Sequence, residues 1–548
     1  MSAEEQQKLD SLYALDNVVT VKITMPPADW EFVRNEQPKG GRCNFDWTKG
    51  ARYTWRRASS VEISGTSFPP KTTFTNVGIK KKSFCGSIRS DKPCLHIDFA
   101  KDNEANKPLI TGLIGSRYLT LNNSIQDPSF ARQVVGYKLF ELAGLPYSRC
   151  NIVRVLVNGR PIGQGIPTAP APGVFVSVEP VMPRYIERNF AHRDGNLYEI
   201  EHTDDFIDKR FDFIGVEDLS EFDDKADLRL AINHLKAHGI AGAADVFDLD
   251  QFIRLYAMDF FLKHWDGYSR NTNNTYVYND VAAVAAPGLD NVHFTLIPWG
   301  LDQILQPKRH FFMGDDGMLA DMVRKDPTRH AQLLDQIRDL RQTVFGRDVQ
   351  QSVSIPMIEK LQGILTPLGV PNLPTELGTV RKQLRLALSA GYLAGGLTAS
   401  DAVYIRDDAT NDCLHASTEA IPPESINFEV THRPRPADVQ DSDLWTAGDL
   451  GTGKSLTNKA SGRNLHASKG LVTSKGHKML YTSPGDNTDH AEEFAVTAVD
   501  ADEPFSQSGY FELSSIRTGL KVKFGADASP KGARRVHQDS VASKLFFS

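Results

Sequence analysis

The last third of the chain repeats itself. NDCLHAS at residues 411–417 returns as GRNLHAS at 462–468 and, more loosely, as TGLKVKF at 518–524. Leu414, Leu465 and Leu520 stand 51 and 55 residues apart, and Trp445, Phe494 and Phe546 follow one another at 49 and 52. Between them, short apolar runs are broken by Gly, Asn, Asp and Ser, with no helical period. Units of about 50 residues made only of strand and turn cannot bury an apolar face singly, so they are expected to close around one shared core. The predicted fold over 400–548 is therefore threefold and all-β.

Within this segment lies GDLGTGKS, residues 448–455, which matches the phosphate-loop pattern at every position. A phosphate loop works by delivering backbone N–H groups and a helix N-terminus to the phosphates. Here LTNKASGRNLHAS follows, with Asn, Ser and Gly where a helix has to continue. The stretch is expected to be a turn between strands. The threefold pattern resembles a β-trefoil of the ricin-type lectin class, which implies a glycan or protein ligand for this domain.

The whole chain has 548 residues, enough for two to four domains at ~100–200 residues each. Its net charge of −6 argues against a nucleic-acid partner held by bulk charge. The five cysteines, Cys43, Cys85, Cys94, Cys150 and Cys413, have no metal-ligand spacing and suit reduced thiols. Cys85 and Cys94 are the pair close enough in sequence to bridge under oxidising conditions. No run of ~18 apolar residues is present, so no membrane span is expected. MSAEEQQKLDSLYAL at the start is acidic and lacks an apolar core, which predicts no secretory signal and a cytoplasmic chain.

Before residue 400 the patterning is different. Residues 19–25 and 151–159 alternate as strands, whereas 129–143, 252–263, 329–345, 352–365 and a last stretch around 380–390 carry helical spacing. Strands come first and helices later, so the fold class expected is α+β. The expected division is a body over 1–399, with a strand-rich first lobe over about 15–180 and a helical second lobe over about 181–395. The linker AGGLTAS, 394–400, separates it from the all-β domain at 400–548.

The chemistry concentrates in HWDGYSRNTNNTYVYND, residues 264–280, and FTLIPWGLDQIL, residues 294–305. Phosphoryl transfer from a metal–nucleotide complex needs one carboxylate to orient the acceptor hydroxyl. It also needs an Asn and an Asp to hold metal against the phosphates. Asp266, Asn271 five residues later and Asp302 after an apolar strand reproduce that order. The surrounding residues resemble the atypical kinases of the spore coat protein H (CotH) type: W-D-G-Y, N-T-Y-V-Y and I-P-W-G-L-D-Q. Further segments fit in sequential order: NVGIKKKSFCGS (76–87), DKPCLHIDF (91–99), YLTLNNSIQDPSFAR (118–132), VFVSVEPV and DGNLYE (194–199). The likeness covers about residues 15–395.

The resemblance implies a two-lobed, protein-kinase-like body that uses ATP and Mg²⁺ or Mn²⁺ to phosphorylate a protein substrate. Asp266 takes the catalytic place and Asp302 a metal-binding one. Asn271 and Asn274 are alternative metal ligands, the first by spacing and the second by its N-x-Y-x-Y context. Lys82 and Lys92 are candidates to pair with nucleotide phosphates, and Glu179 to pair with such a lysine. Lys80 and Ser83 depart from the family's Arg and Gly, IPTAPAPG (166–173) is inserted, and Gly300 replaces an aspartate of one family version. The plain alternatives are solvated lysines, turn-capping carboxylates, and sequons at Asn122 and Asn273 without a role. For His264 and His293 packing or surface positions are expected, and for Trp445, Phe494 and Phe546 a place in the trefoil core. The rival to the kinase is a catalytically inactive, surface-associated or secreted adhesin whose trefoil does the binding.

Overall fold

The computed structural model describes residues 1–548 except 42, 44–51, 218–224, 282–287, 422–426, 437–438, 451–452, 474, 476, 485–490, 500–505 and 529–532. It combines helices and strands in two compact units. One comprises residues 1–307, 313–336 and 348–382, and the other 308–312, 337–347 and 383–548. The expected boundary at 399/400 thus falls inside the second unit.

In the first unit, eight strands form one sheet: β1 (Val19–Thr24), β2 (Arg56–Gly65), β3 (Thr72–Lys81), β4 (Leu95–Asp98), β5 (Tyr118–Asn122), β6 (Cys150–Val157), β7 (Arg160–Pro161) and β8 (Val174–Val178). Their order is β1-β2-β3-β4-β5-β8-β6-β7, and β1 also pairs with β6 in parallel, so the sheet closes on itself as a barrel. Closure removes free edges and lets the inward side chains of successive strands fill the middle. Val21, Ile63, Val77, Ile97 and Val155 are among those fully buried there.

A second sheet of four strands follows, made of β9 (Leu197–Ile200), β10 (Gly215–Glu217), β11 (Thr275–Asn279) and β12 (Phe294–Pro298), in the order β10-β9-β11-β12. Beside it runs the helix Leu249–Leu262. The helix starts at Asp248, whose carboxylate accepts the Gln251 amide, and stops where Lys263 turns left-handed at φ 52°. Helices Arg132–Leu142, Pro327–Thr343, Ile355–Leu365 and Leu373–Gly395 overlap the expected helical stretches. Among the described residues no helix is long and apolar enough to cross a membrane.

The cysteine pairing departs from expectation. Cys43 bridges Cys85, and Cys94 stays a buried thiol whose sulfur accepts the Asn123 N–H. Nine residues of separation suggested a Cys85–Cys94 link. Cys94 instead faces the interior beside β4, whereas Cys85 sits in a short turn.

The second unit carries a thirteen-stranded sheet whose strand pattern recurs three times. A capped turn marks each repeat. The side chains of Asp407, Asn458 and Ser515 accept the amides of Thr410, Ser461 and Thr518. Their carbonyls take the amides of Asn411, Gly462 and Gly519, all three left-handed at φ 63°, 64° and 68°. Seven residues past each cap stands a buried core side chain: Leu414, Leu465 and Val522. The third repeat therefore registers on Val522, not Leu520, which is only half-buried. A strand slip of two residues keeps the same face, so alternation alone could not choose between them.

The same register pairs Trp445 with Asn458, Phe494 with Ser515 and Leu545 with Asp407, which makes Leu545 the third equivalent rather than Phe546. GDLGTGKS is a hairpin: Gly448 pairs with Ser455 and Leu450 with Gly453, while Gly451 and Thr452 lie outside the described residues. Trp445 is fully buried and its indole N–H donates to the Leu414 carbonyl at 3.0 Å. Trp445→Ala should cost about 3–5 kcal/mol of stability by cavity formation. Denaturant unfolding of the full chain checks this, and a loss below about 1 kcal/mol would contradict the shared threefold core.

Candidate active site: two aspartates and a ring of amides

Asp266 is set by the end of the helix Leu249–Leu262. Its buried Asp259 accepts from Ser269 Oγ at 2.9 Å and lies 3.0 Å from His264 Nδ1, tying down both sides of the 264–269 loop. A Cβ on Gly267 would come within 2.5 Å of the His264 ring, so only glycine lets the loop fold back there. His264 is thus a packed residue, as expected. Beyond it the chain turns left-handed at two non-glycine residues, Thr272 (φ 39°) and Asn274 (φ 47°). Such backbone costs energy and concentrates at functional loops.

That loop wraps amides around one carboxylate. Asn271 Nδ2 donates to Asp266 Oδ1 at 2.6 Å and Asn273 Nδ2 at 3.1 Å, while Oδ2 accepts from Asn274 Nδ2 at 2.9 Å and Gln303 Nε2 at 3.3 Å. Both candidate asparagines therefore reach Asp266. Asn274 additionally bonds the Asp266 carbonyl at 2.8 Å.

Asp302 arrives from β12, all five of whose residues are buried. The turn after it needs Gly300: its φ is 61°, and a Cβ there would fall 2.2 Å from Asn274 Oδ1. Glycine at this position thus lets the Asn274 loop and the Asp302 turn close together. Gly136, on the helix Arg132–Leu142, plays the matching part on the other side. A Cβ on it would meet Ile304 at 2.6 Å and Leu301 at 3.1 Å. The 301–304 turn is thereby seated against the helix that follows the segment carrying Asn122 and Asp127.

The two aspartates are differently served. Asp302 is buried, and among the described residues its side-chain partner is Asn122, whose Nδ2 lies 3.2 Å from Oδ2. Burial, with the Asp127 and Asp266 carboxylates nearby, pushes Asp302 up to about 7, against the pull of the Asn122 bond. Asp127 has its own cation, Arg132, at 2.9 Å. Among the described residues this buried carboxylate, with one amide donor and two acidic neighbours, has no positive partner. Such a donor set, all oxygen and amide, fits a hard divalent cation.

Lys82 faces this region, its Nζ 5.6 Å from the centre of the Trp299 ring, three residues before Asp302. Glu217, raised above its ordinary value by burial and by Glu199, is drawn back down by Lys82, so that lysine and carboxylate feel each other. Burial, and then the Lys82 ammonium, pushes Lys80 down to about 8.

The structure does not bring Lys92 and Glu179 to this place. Lys92 is fully buried with Nζ on the Pro170 carbonyl at 2.9 Å, above the rings of Phe130 and Phe175. Its own carbonyl instead supports Asn123, next to Asn122, at 2.7 Å. The inserted 166–173 segment supplies the lysine's acceptor. Glu179 is claimed by Arg149 at 2.9 Å and Arg188 at 2.6 Å rather than by a lysine.

Sequence reading passed over Asn122, Asn273 and Gln303. Two of them, Asn122 and Asn273, open N-x-S/T sequons. The signal that could have recovered Asn122 is the L-N-N-S-I-Q-D-P-S-F-A-R segment, already part of the family likeness.

Residues 82–354, just under half of the chain, match the family model described as CotH kinase protein. No curated protein matches the chain. Solved structures with partial likeness include the Macrolepiota procera ricin B-like lectin in complex with lactose, 10% identical over 28% of this chain and 97% of that one, with a TM-score of 0.21. The designed threefold-symmetric protein ThreeFoil is 15% identical over 27% of this chain and 96% of its own, TM-score 0.21. The SDF2-like protein from Arabidopsis thaliana is 13% identical over 27% and 91%, TM-score 0.23.

Proposed function

We propose that the first unit, which contains most of the CotH-matching segment, is an ATP-dependent protein kinase. The reaction is transfer of the γ-phosphoryl group to a protein hydroxyl. The observation that carries this reading is the meeting of Asp302 and Asp266: the first is buried with no cation on it among the described residues, and the second is fixed by four amides, with Lys82 close to the same turn.

Asp302 would hold the metal, and Asp266 would orient the acceptor hydroxyl and take its proton as that oxygen bonds to the γ-phosphorus and the bond from phosphorus to the bridging oxygen breaks, releasing ADP. The amides of Asn271, Asn273, Asn274 and Gln303 keep the Asp266 carboxylate from turning away. Lys82 steadies the phosphates as a mobile point charge. Mg²⁺ or Mn²⁺, when bound, supplies neutralisation of charge on the transferring group. Because Asn271 and Asn274 both turn their Nδ2 groups to Asp266, they act here as its holders, and Asn122 stands nearer to Asp302.

The second unit is read as a β-trefoil that delivers the kinase to a glycan or protein partner. The Cys43–Cys85 bridge favours an oxidising, extracytoplasmic place of work over the cytoplasm.

The test is transfer of labelled phosphate from γ-labelled ATP to a general protein acceptor with Mg²⁺ or Mn²⁺. Chelator-sensitive incorporation is expected. A chain that Mg-ATP does not stabilise, and that incorporates nothing, would fit the inactive adhesin instead.

A further inference from the structure

We propose that the second unit carries a transition-metal site made by His477, His537 and Asp539, separate from the phosphoryl-transfer site. One ligand atom from each of the three lies within 4.8 Å of the others. Strand register explains why they meet. The strands Lys478–Ser483 and Arg534–Asp539 are antiparallel, with Lys478 opposite Gln538 and Met479 opposite His537. Continued by one step, that register sets His477 across from Asp539. His537 and Asp539 are two apart on one strand and so share a face, and His477 joins the same face from across the ladder.

The surroundings prepare the ligands. A Cβ on Gly525 would lie 2.3 Å from His537 Cε1 and 2.5 Å from Nδ1, so glycine there makes room for the imidazole. With that edge against Gly525, the Nε2 atom lies 3.9 Å from Asp539 Oδ2. The other oxygen, Oδ1, is anchored by Ser540 Oγ at 3.1 Å and the Val541 amide at 3.3 Å. A carboxylate held by one oxygen with the other turned to an imidazole is how outer partners orient a metal ligand. The His477 ring is stacked over His537, centroids 4.3 Å apart and planes within 8°.

Two imidazoles and one carboxylate select borderline divalent ions such as Zn²⁺, Co²⁺ or Cu²⁺ over Mg²⁺ or Ca²⁺. Bonds of about 2.0–2.2 Å put ligand atoms no more than about 4.4 Å apart. Ring nitrogens bind a metal in the plane of their own ring, so the parallel stack has to open, and His477, the half-buried member, turns its ring out of the stack to bring its nitrogen to the ion. Three protein ligands leave one tetrahedral position for water or for a donor from a bound partner. Sequence spacing could not have found the site, because His477 stands 60 residues from His537 and only the register unites them.

Co²⁺ titration of the untagged, chelator-treated full chain tests the proposal by its visible d–d absorption, with Zn²⁺ competing. One equivalent of tetrahedral-type absorption displaced by Zn²⁺ is expected. His477→Ala should weaken Co²⁺ binding at least tenfold, and Asp539→Asn should also weaken it, while Asp302→Asn leaves it unchanged. His477 is the variant of choice because buried His537 contributes to packing. Absence of a stoichiometric signal in the unaltered chain would overturn the site. So would a folded His477→Ala protein that binds Co²⁺ as well as its parent.

Discussion

Asp302→Asn is expected to abolish metal-dependent phosphate transfer and, at the same time, to make the protein more stable at pH 8. Both effects come from one fact. Burial, then Asp127 and Asp266, hold Asp302 at about 7, against an ordinary carboxylate value of 3.8. Between those values the folded chain binds a proton that the unfolded chain releases. Its stability is greatest on the acid side and is lost as pH rises through about 7. Asparagine cannot ionise, so the variant escapes this loss, a difference of up to about 4 kcal/mol at pH 8 that vanishes near pH 4. Urea unfolding at both pH values reads it. A variant less stable than its parent at pH 8 would mean that Asp302 is already neutralised by a partner. Metal binding at pH 6 should displace the same proton, so the affinity of the site for Mg²⁺ should rise with pH.

Asp266→Asn should lower transfer by about 10²–10⁴-fold, while Mg-ATP still binds. The loss falls on kcat rather than KM, because a residue that orients the acceptor hydroxyl acts in the transition state. Alanine is the poorer choice. Asp266 accepts amides from Asn271, Asn273, Asn274 and Gln303, and deleting the carboxylate removes their common acceptor and loosens the loop. Steady-state kinetics of the asparagine variant decides the matter. An unchanged kcat would remove Asp266 from the chemistry and leave it as a loop organiser.

How far the residues themselves disclosed this arrangement depended on the distance over which each interaction acts. Asp266 and Asp302 were legible because a strand and a turn place them in a recognisable order. Asn122 was not, since its partner is 180 residues away and its local context reads as a sequon. Lys92 and Glu179 sit in segments that match the family, yet only coordinates reveal a lysine turned inward onto Pro170 and a glutamate shared by two arginines. Threefold repetition in the second unit was visible from spacing, because a buried residue recurs at each turn. Its third register was misplaced onto Leu520, for a two-residue slip along a strand changes neither face nor alternation, and onto Phe546, the buried neighbour of Leu545. The Cys43–Cys85 bridge was missed because proximity along the chain says nothing of which way two thiols face.

The kinase reading requires that nucleotide and metal bind where Asp302 lies, and this can be measured without knowing the phosphate acceptor. Thermal or urea stability of the parent and of Asp302→Asn is compared with and without Mg-ATP at saturating concentration. A ligand at 100 times its dissociation constant should stabilise the parent by about 2.7 kcal/mol, and the variant should show almost none of that gain. Equal stabilisation of both proteins, or of neither, would contradict the account.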